Sequence, residues 1–286
     1  MEQLETGTLL IHAKRLEETF EHVSRLSIRC MLNGNQYYKV GNQEALVTPK
    51  NYLVVNQGQH YKTSFSSDDD LEMMLVAFRP GFAEELLYSL ITPQDKLLEN
   101  PFARSNQPIT FFEKTYETDP VISQLFLHLR KLIDEDISIR KETDHDGIYS
   151  DMLTRLLFVH RGLRKTIDKL DSVKHSTRTE LFRRLNIARD YMDAHACEKI
   201  SLAEISKVAC LSVHHFKRSF HQLFGESPHR YLVKKRIEKA QQLLRETNLK
   251  TDEVCAATGF ENASSFIRLF RHQNGVTPGY FRININ

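Results

Sequence analysis

Cysteine is scarce in this chain, with four residues in 286, at positions 30, 197, 210 and 255. No two stand at a short paired spacing, which argues against a zinc knuckle, a thioredoxin-like motif and a disulfide framework. Reduced and mostly buried thiols are the expectation. Long apolar runs are lacking too: stretches such as Met73 to Phe78 fall well short of the roughly 20 residues that cross a bilayer. The opening residues, Met1-Glu2-Gln3-Leu4-Glu5, have neither the basic nor the apolar segment of a secretory signal. A cytoplasmic protein with no membrane partner is expected. Clustered metal ligands are also missing, since His12, His22 and His60 do not form a close His-x-His arrangement. Residues 1–170 show no convergent set of titratable groups, so no metal, no cofactor and no enzymatic activity is expected. Cys30 lies in an apolar stretch and reads as core rather than as a reactive sensor.

What the chain does have is length, a globular composition and an uneven charge. A chain of 286 residues exceeds one ordinary core, so two domains are expected. Its 41% apolar and 27% charged residues suit a soluble fold. The formal charge of +2 conceals an asymmetry. Residues 183–286 hold 17 Lys and Arg against 10 Asp and Glu, a net +7, whereas residues 1–182 hold 22 against 27, a net −5. A basic C-terminal part beside an acidic one suggests an anionic polymer bound at one end only.

From Leu26 to Arg79 short strand-like runs alternate with turn residues. The runs are Leu26–Leu32, Gln36–Val40, Ala45–Val47, Tyr52–Val55, Tyr61–Phe65 and Met73–Phe78, and the breaks include Asn33-Gly34-Asn35, Gly41-Asn42, Gln57-Gly58-Gln59 and Ser66 to Asp70. Strands so short and so closely spaced predict a small antiparallel barrel or sandwich. After Pro80 helical spacing takes over, in Val121, Leu125, Leu129 and Leu132, and again in Met152, Leu156, Val159, Leu163 and Ile167. Helices following strands is the α+β order. The second stripe is longer than one small core requires, so the helix from about Ile148 to Lys169 is expected either to pair two chains or to pack on its own barrel. The polar stretch from Asp171 to Thr179 reads as a linker.

Beyond Leu202 the sequence repeats weakly after about 50 residues. Phe216 and Phe266, Phe220 and Phe270, Gly225 and Gly275, and Pro228 and Pro278 are all 50 apart, whereas Ile205 and Val254 are 49 apart. The second copy therefore has a turn one residue longer. Each copy has the parts of a helix-turn-helix: a short helix, a tight turn, and a second helix capped by Ser212 or Asn262 and ended by Gly225 or Gly275. Two Phe residues four apart share the buried face of each second helix and leave Lys217, Arg218 and Arg268 pointing outward. Val233, Ile237, Ala240 and Leu244 form the apolar stripe of a connecting helix that would hold both units at a fixed separation. Two such units can read successive major grooves, about 34–36 Å apart. Lys234-Lys235-Arg236 reads as a solvated face or, in part, as a phosphate contact. Gly259 and Cys210 sit at the turns, Gly259 in a conformation costly for other residues and Cys210 small and buried.

The run Leu202 to Phe224, the segment Ala240-Gln241-Gln242-Leu243-Leu244, Thr258-Gly259-Phe260, the Phe266/Phe270 pair and the closing Gly275-Val276-Thr277-Pro278-Gly279-Tyr280-Phe281-Arg282 closely resemble the AraC/XylS family of bacterial regulators. The resemblance spans about 100 residues in register. It implies a seven-helix DNA-binding domain over 183–286, with helix-turn-helix units at about 202–224 and 251–274, behind a linker at 171–182. The strand-rich residues 1–170 are similar in pattern to the family's cupin-like effector or dimerisation domain, an α+β antiparallel β-barrel with flanking helices. By resemblance, the base-facing positions are His214, Lys217 and Arg218 in the first unit and Ser264, Ser265 and Arg268 in the second. Ser212, His215, Arg230 and Asn262 lie at helix starts and turns, where each suits a backbone phosphate, a cap or plain surface equally. The implied function is a sequence-specific transcription regulator, with activation the family-weighted direction. Double-stranded promoter DNA is the implied partner, RNA polymerase and a small-molecule effector are further ones, and a homodimer through the N-terminal domain is expected. A cupin-type enzyme carrying a DNA-targeting domain is the alternative. A purely architectural DNA-binding protein conflicts with two recognition helices that present different residues.

Overall fold

Every residue of the run Glu72–Ala77 is buried, which a strand achieves only when both of its faces are covered. The structure, a computed structural model, describes residues 8–14, 21–41, 43–65, 71–93, 109–132, 139–142, 146–168, 170 and 175–283. It divides into two compact units, Met1–Asp168 and Lys169–Asn286. The first unit contains β1 (Leu9–Lys14), β2 (Glu21–Val23), β3 (Ser27–Asn33), β4 (Gln36–Val40), β5 (Gln43–Val47), β6 (Asn51–Val55), β7 (His60–Phe65) and β8 (Glu72–Ala77). There follow α1 (Phe82–Ile91), β9 (Thr115–Glu117), α2 (Pro120–Leu132), β10 (Ile139–Glu142) and α3 (Asp146–Ile167). All strand pairs are antiparallel, in a six-stranded sheet ordered β10-β1-β8-β3-β6-β9 and a four-stranded sheet ordered β2-β7-β4-β5.

β8 lies inside the large sheet, between β1 and β3. Its Met74 and Val76 join Ile28, Cys30, Tyr52 and Val54 in a core closed by Phe82, Phe126, Met152 and Leu156 of the helices. Its Met73, Leu75 and Ala77 join Met31, Leu53 and Val55 against Tyr38, Ala45 and Val47 of the small sheet. The layers therefore run helices, large sheet, small sheet.

Six strands lie within a residue or two of their expected positions. β1, β2, β9 and β10 are additional, and the breaks at Asn42 and at Ser66 to Asp70 lie outside the described residues. One helical stripe differs from expectation, and the other takes one of its two expected placements. In α2 the buried residues are Ile122, Phe126 and Leu129, while Val121 and Leu132 are exposed; the segment is apolar on adjoining faces, and periodicity alone does not choose between them. In α3, Met152 and Leu156 belong to the unit's own core and Val159 and Leu163 pack against it, so this stripe does not itself provide a pairing face.

The second unit holds seven helices among its described residues: α4 (His175–Ala194), α5 (Leu202–Val208), α6 (Val213–Phe224), α7 (Pro228–Glu246), α8 (Thr251–Ala257), α9 (Ala263–Asn274) and α10 (Pro278–Ile283). The segment expected to be a linker, 171–182, is helical from His175 onward, and Leu181 and Phe182 are buried. Its polar residues form the first turns of α4, with the apolar anchors following them.

Candidate nucleic-acid interface

Helices α6 and α9 are built alike because the same residue types fall at the same places. Phe216 and Phe220 are fully buried with ring centroids 5.4 Å apart, and Phe266 and Phe270 are fully buried at 5.7 Å. Each buried ring is worth about 1.5–3 kcal/mol, enough to fix which face of the helix turns inward. The Ser212 side chain accepts the His215 backbone N–H at 3.3 Å, and the Asn262 carboxamide oxygen accepts that of Ser265 at 2.8 Å. Both helices end on a left-handed glycine, Gly225 or Gly275, whose N–H donates to the carbonyl of His221 or Arg271 at 2.8 Å. Four residues separate α5 from α6 and five separate α8 from α9, which is the extra turn residue of the second repeat.

The turns differ in a way that matters. Cys210 adopts φ 51°, the one positive φ outside glycine among the described residues. Contrary to expectation it is exposed, with its carbonyl accepting from Arg184 at 3.1 Å. Gly259 adopts φ 74°, and a Cβ there would stand 2.5 Å from the carbonyl oxygen of Cys197. No side chain fits. Of the other thiols, Cys30 and Cys255 are buried and Cys197 is half-buried; burial raises all three above the usual thiol range.

With the Phe pairs inward, His214, His215, Lys217 and Arg218 are exposed on α6, and Ser264 and Arg268 on α9. Ser265 is only half-exposed, because its backbone sits under the Asn262 cap. Ser212 and Asn262 are caps whose acceptor oxygens are engaged, which leaves a hydroxyl hydrogen and an amide NH2 as donors. Arg230 is exposed at the start of α7, its Nε 3.9 Å from Glu226. Sequence reasoning missed Ile267, Arg271 and His272. Ile267 keeps 37% of its surface exposed in the middle of the outer face of α9, and with Ser264, Arg268, Arg271 and His272 it lines a surface depression of about 660 Å³. The fifty-residue offset could have found it, since Ile267 stands where the first repeat has Lys217.

α7 serves both halves. Tyr231 meets Phe220 at 5.6 Å, whereas Ile237, Ala240 and Leu244 share a core with Val254, Phe266 and Phe270. The run Lys234-Lys235-Arg236 is not uniformly solvated. Only Lys234 is exposed, Lys235 lies 3.6 Å from both Asp193 and Glu238, and Arg236 donates to two backbone carbonyls. The Tyr231 hydroxyl donates to Asp193 at 2.8 Å, tying α7 to α4. Burial raises both groups, pushing the Asp193 carboxyl above its ordinary value and the Tyr231 phenol far above its own. Among the described residues no group of three or more His, Cys, Asp or Glu is placed to hold a metal, and no helix is long and apolar enough to cross a membrane.

Comparison with known proteins bears on this unit above all. Residues 205–284 match a family described as a helix-turn-helix domain. The probable transcriptional regulator LumQ of Photobacterium leiognathi is 36% identical over 34% of this chain and 39% of its own length. The HTH-type transcriptional activator Btr of Bacillus subtilis (strain 168) is 32% identical over 33% of this chain and 18% of its own length. The match thus covers well under two thirds of either relative. A longer and weaker similarity, 23% identity over 89% of this chain and 82% of the other, links it to the uncharacterized HTH-type transcriptional regulator YdeC of the same bacterium. The paired, capped helices and the matched residues agree: residues 205–284 of this chain are a helix-turn-helix domain.

Proposed function

We propose that this chain is a sequence-specific transcription regulator whose residues 183–286 bind double-stranded promoter DNA under the control of residues 1–170. The observation that carries the reading is the pair of equivalently capped helices, α6 and α9, each with an arginine at the same place on an exposed face. An α-helix fits the major groove, and Arg pairs bidentately with guanine O6 and N7. In this reading His214, Lys217 and Arg218 read bases from α6, and Ser264, Arg268 and, to a lesser extent, Ser265 read them from α9. Ile267 adds an apolar surface suited to a thymine methyl. Ser212, His215, Arg230 and Asn262 contact phosphates and set the register. Selection from a random DNA pool with the purified full-length protein is expected to enrich a motif with two separated parts. Recovery of no common sequence refutes the reading.

The first unit is proposed to be the cupin-like effector and dimerisation domain, a reading supported by its two facing antiparallel sheets. Arg29, buried between the sheets with its guanidinium 3.6 Å from the Tyr61 ring and near Ser24 and Ser27, supports a polar small-molecule effector. Pairing of two chains is assigned to exposed apolar residues of α2 and α3, namely Val121, Leu127, Leu132 and Phe158. Activation and contact with RNA polymerase rest on the family resemblance.

A further inference from the structure

We infer that Arg236 is a positioning residue that locks the two reading helices at one separation, an inference that rests on the DNA-binding reading above. α7 is the covalent link between the two halves of the second unit, and its 19 residues span about 28 Å. Two bodies joined through one helix can still swivel at its ends unless a second contact closes the frame. The turn after α4 supplies that contact. Arg236 Nε donates to the Ala196 carbonyl and its Nη2 to the Glu198 carbonyl, both at 2.8 Å. The guanidinium carbon lies 5.9 Å from the centroid of the Phe260 ring, and Phe260 packs on Phe266 of α9 with centroids 5.2 Å apart. Beside it the Cys197 carbonyl meets Gly259 at a distance no Cβ allows. One side chain thus joins the loop that ends α4, the connecting helix and the turn in front of the second reading helix. α4 itself packs on α5, α6 and α7, so the frame extends to the first reading helix.

The geometry suits a bidentate guanidinium and not a point charge, because two separate N–H groups of one side chain meet the Ala196 and Glu198 carbonyls. The Arg236 guanidinium is half-buried, and burial lowers it below the usual arginine value, which shows that the tie is made against a desolvation cost. On DNA the consequence is a strict spacing. When two reading helices are held rigidly, binding by one presents the other at high effective concentration, but only at the matching separation. One inserted base pair moves the second half-site by about 3.4 Å along the axis and roughly a tenth of a turn around it.

The test uses full-length protein, the DNA site enriched by the wild type, and derivatives with one base pair inserted or removed between its two parts. Wild type is expected to bind the altered spacings roughly tenfold more weakly. Arg236→Met is expected to bind the original site roughly tenfold more weakly, with all spacings within about twofold of one another. A variant that keeps the wild-type preference for one spacing overturns the inference. So does a uniform loss accompanied by a salt slope lower by about one, which would mean a phosphate contact. Hydrogen exchange without DNA gives an independent reading. Arg236→Met should speed exchange at 195–200 and 258–262 while leaving the helices around Phe216 and Phe266 protected, and unchanged exchange at the two turns overturns the inference. If the Met variant unfolds, Arg236→Lys, which keeps the charge but cannot span both carbonyls, is judged by the same measurements. Should the wild type enrich no DNA sequence, the functional reading fails while the exchange experiment still decides the junction.

Discussion

Arg218 and Arg268 stand fifty positions apart in the chain and at the same place on two exposed helix faces. Replacing either with Ala is expected to cost about 1–3 kcal/mol of base discrimination, each in a different part of the selected site. Binding of both variants to a panel of single-base substitutions checks this, and a uniform loss for Arg268→Ala would make α9 a docking helix only. The glycines at the helix ends and turns separate two kinds of constraint. Gly225 and Gly259 have nearly the same φ, but a Cβ on Gly225 meets nothing within 4 Å, whereas one on Gly259 strikes the Cys197 carbonyl. Gly225→Ala should therefore cost only the left-handed penalty of about 1–2 kcal/mol. Gly259→Ala should cost distinctly more, and comparison of their urea midpoints checks the order. The need for a special backbone at Gly259 was legible from its place in the repeat. The close approach of Cys197 was not, because the two stand 62 positions apart in the chain and no local pattern encodes the contact.

Elements were legible where one spacing governed them. The Phe pairs placed α6 and α9 because four-residue spacing plus a cap and a terminal glycine fits little else. α2 was harder, since apolar residues occupy adjoining faces and the sheet beneath chose Ile122, Phe126 and Leu129. The charge run on α7 misled for a related reason: consecutive helix positions point about 100° apart, so Lys234 meets solvent while Lys235 and Arg236 turn toward Asp193 and the loop after α4. The first turns of α4 looked like a linker because their polar side chains are those of a solvated helix face. The pairing of α4 with α7 can be tested directly. Tyr231→Phe removes the hydroxyl that donates to the buried Asp193 carboxylate but keeps the ring against Phe220. It is expected to lower stability by about 1.5–3 kcal/mol, the range for a hydrogen bond to a charged group. A change below about 0.5 kcal/mol in chemical denaturation would show that Lys235, 3.6 Å away, satisfies Asp193 without it.

At the scale of the whole molecule, the charge division in the sequence falls near the boundary between the two units, and it also separates the part matched to the helix-turn-helix family. The second unit has what independent folding requires. Phe182, Leu185, Ala188 and Met192 of α4 are buried, as are Ile205, Phe216 and Phe220 of the first helix-turn-helix, and the second has its own core around Ile237, Val254, Phe266 and Phe270. A fragment comprising residues 169–286 is therefore expected to fold and to bind the selected DNA. Starting at Thr179 instead removes the first turn of α4 but none of its buried anchors, so that shorter fragment should also give a helical spectrum. Circular dichroism decides the folding, and a disordered spectrum from the longer fragment refutes it. Comparing that fragment with the full chain then isolates what the first unit contributes. If residues 1–170 pair two chains, the full-length protein should bind a DNA carrying two copies of the site at least tenfold more tightly than the fragment does, and a single copy about equally. Equal affinities on both DNAs, together with a monomer of the full chain in sedimentation at micromolar concentration, would assign the first unit a role other than pairing.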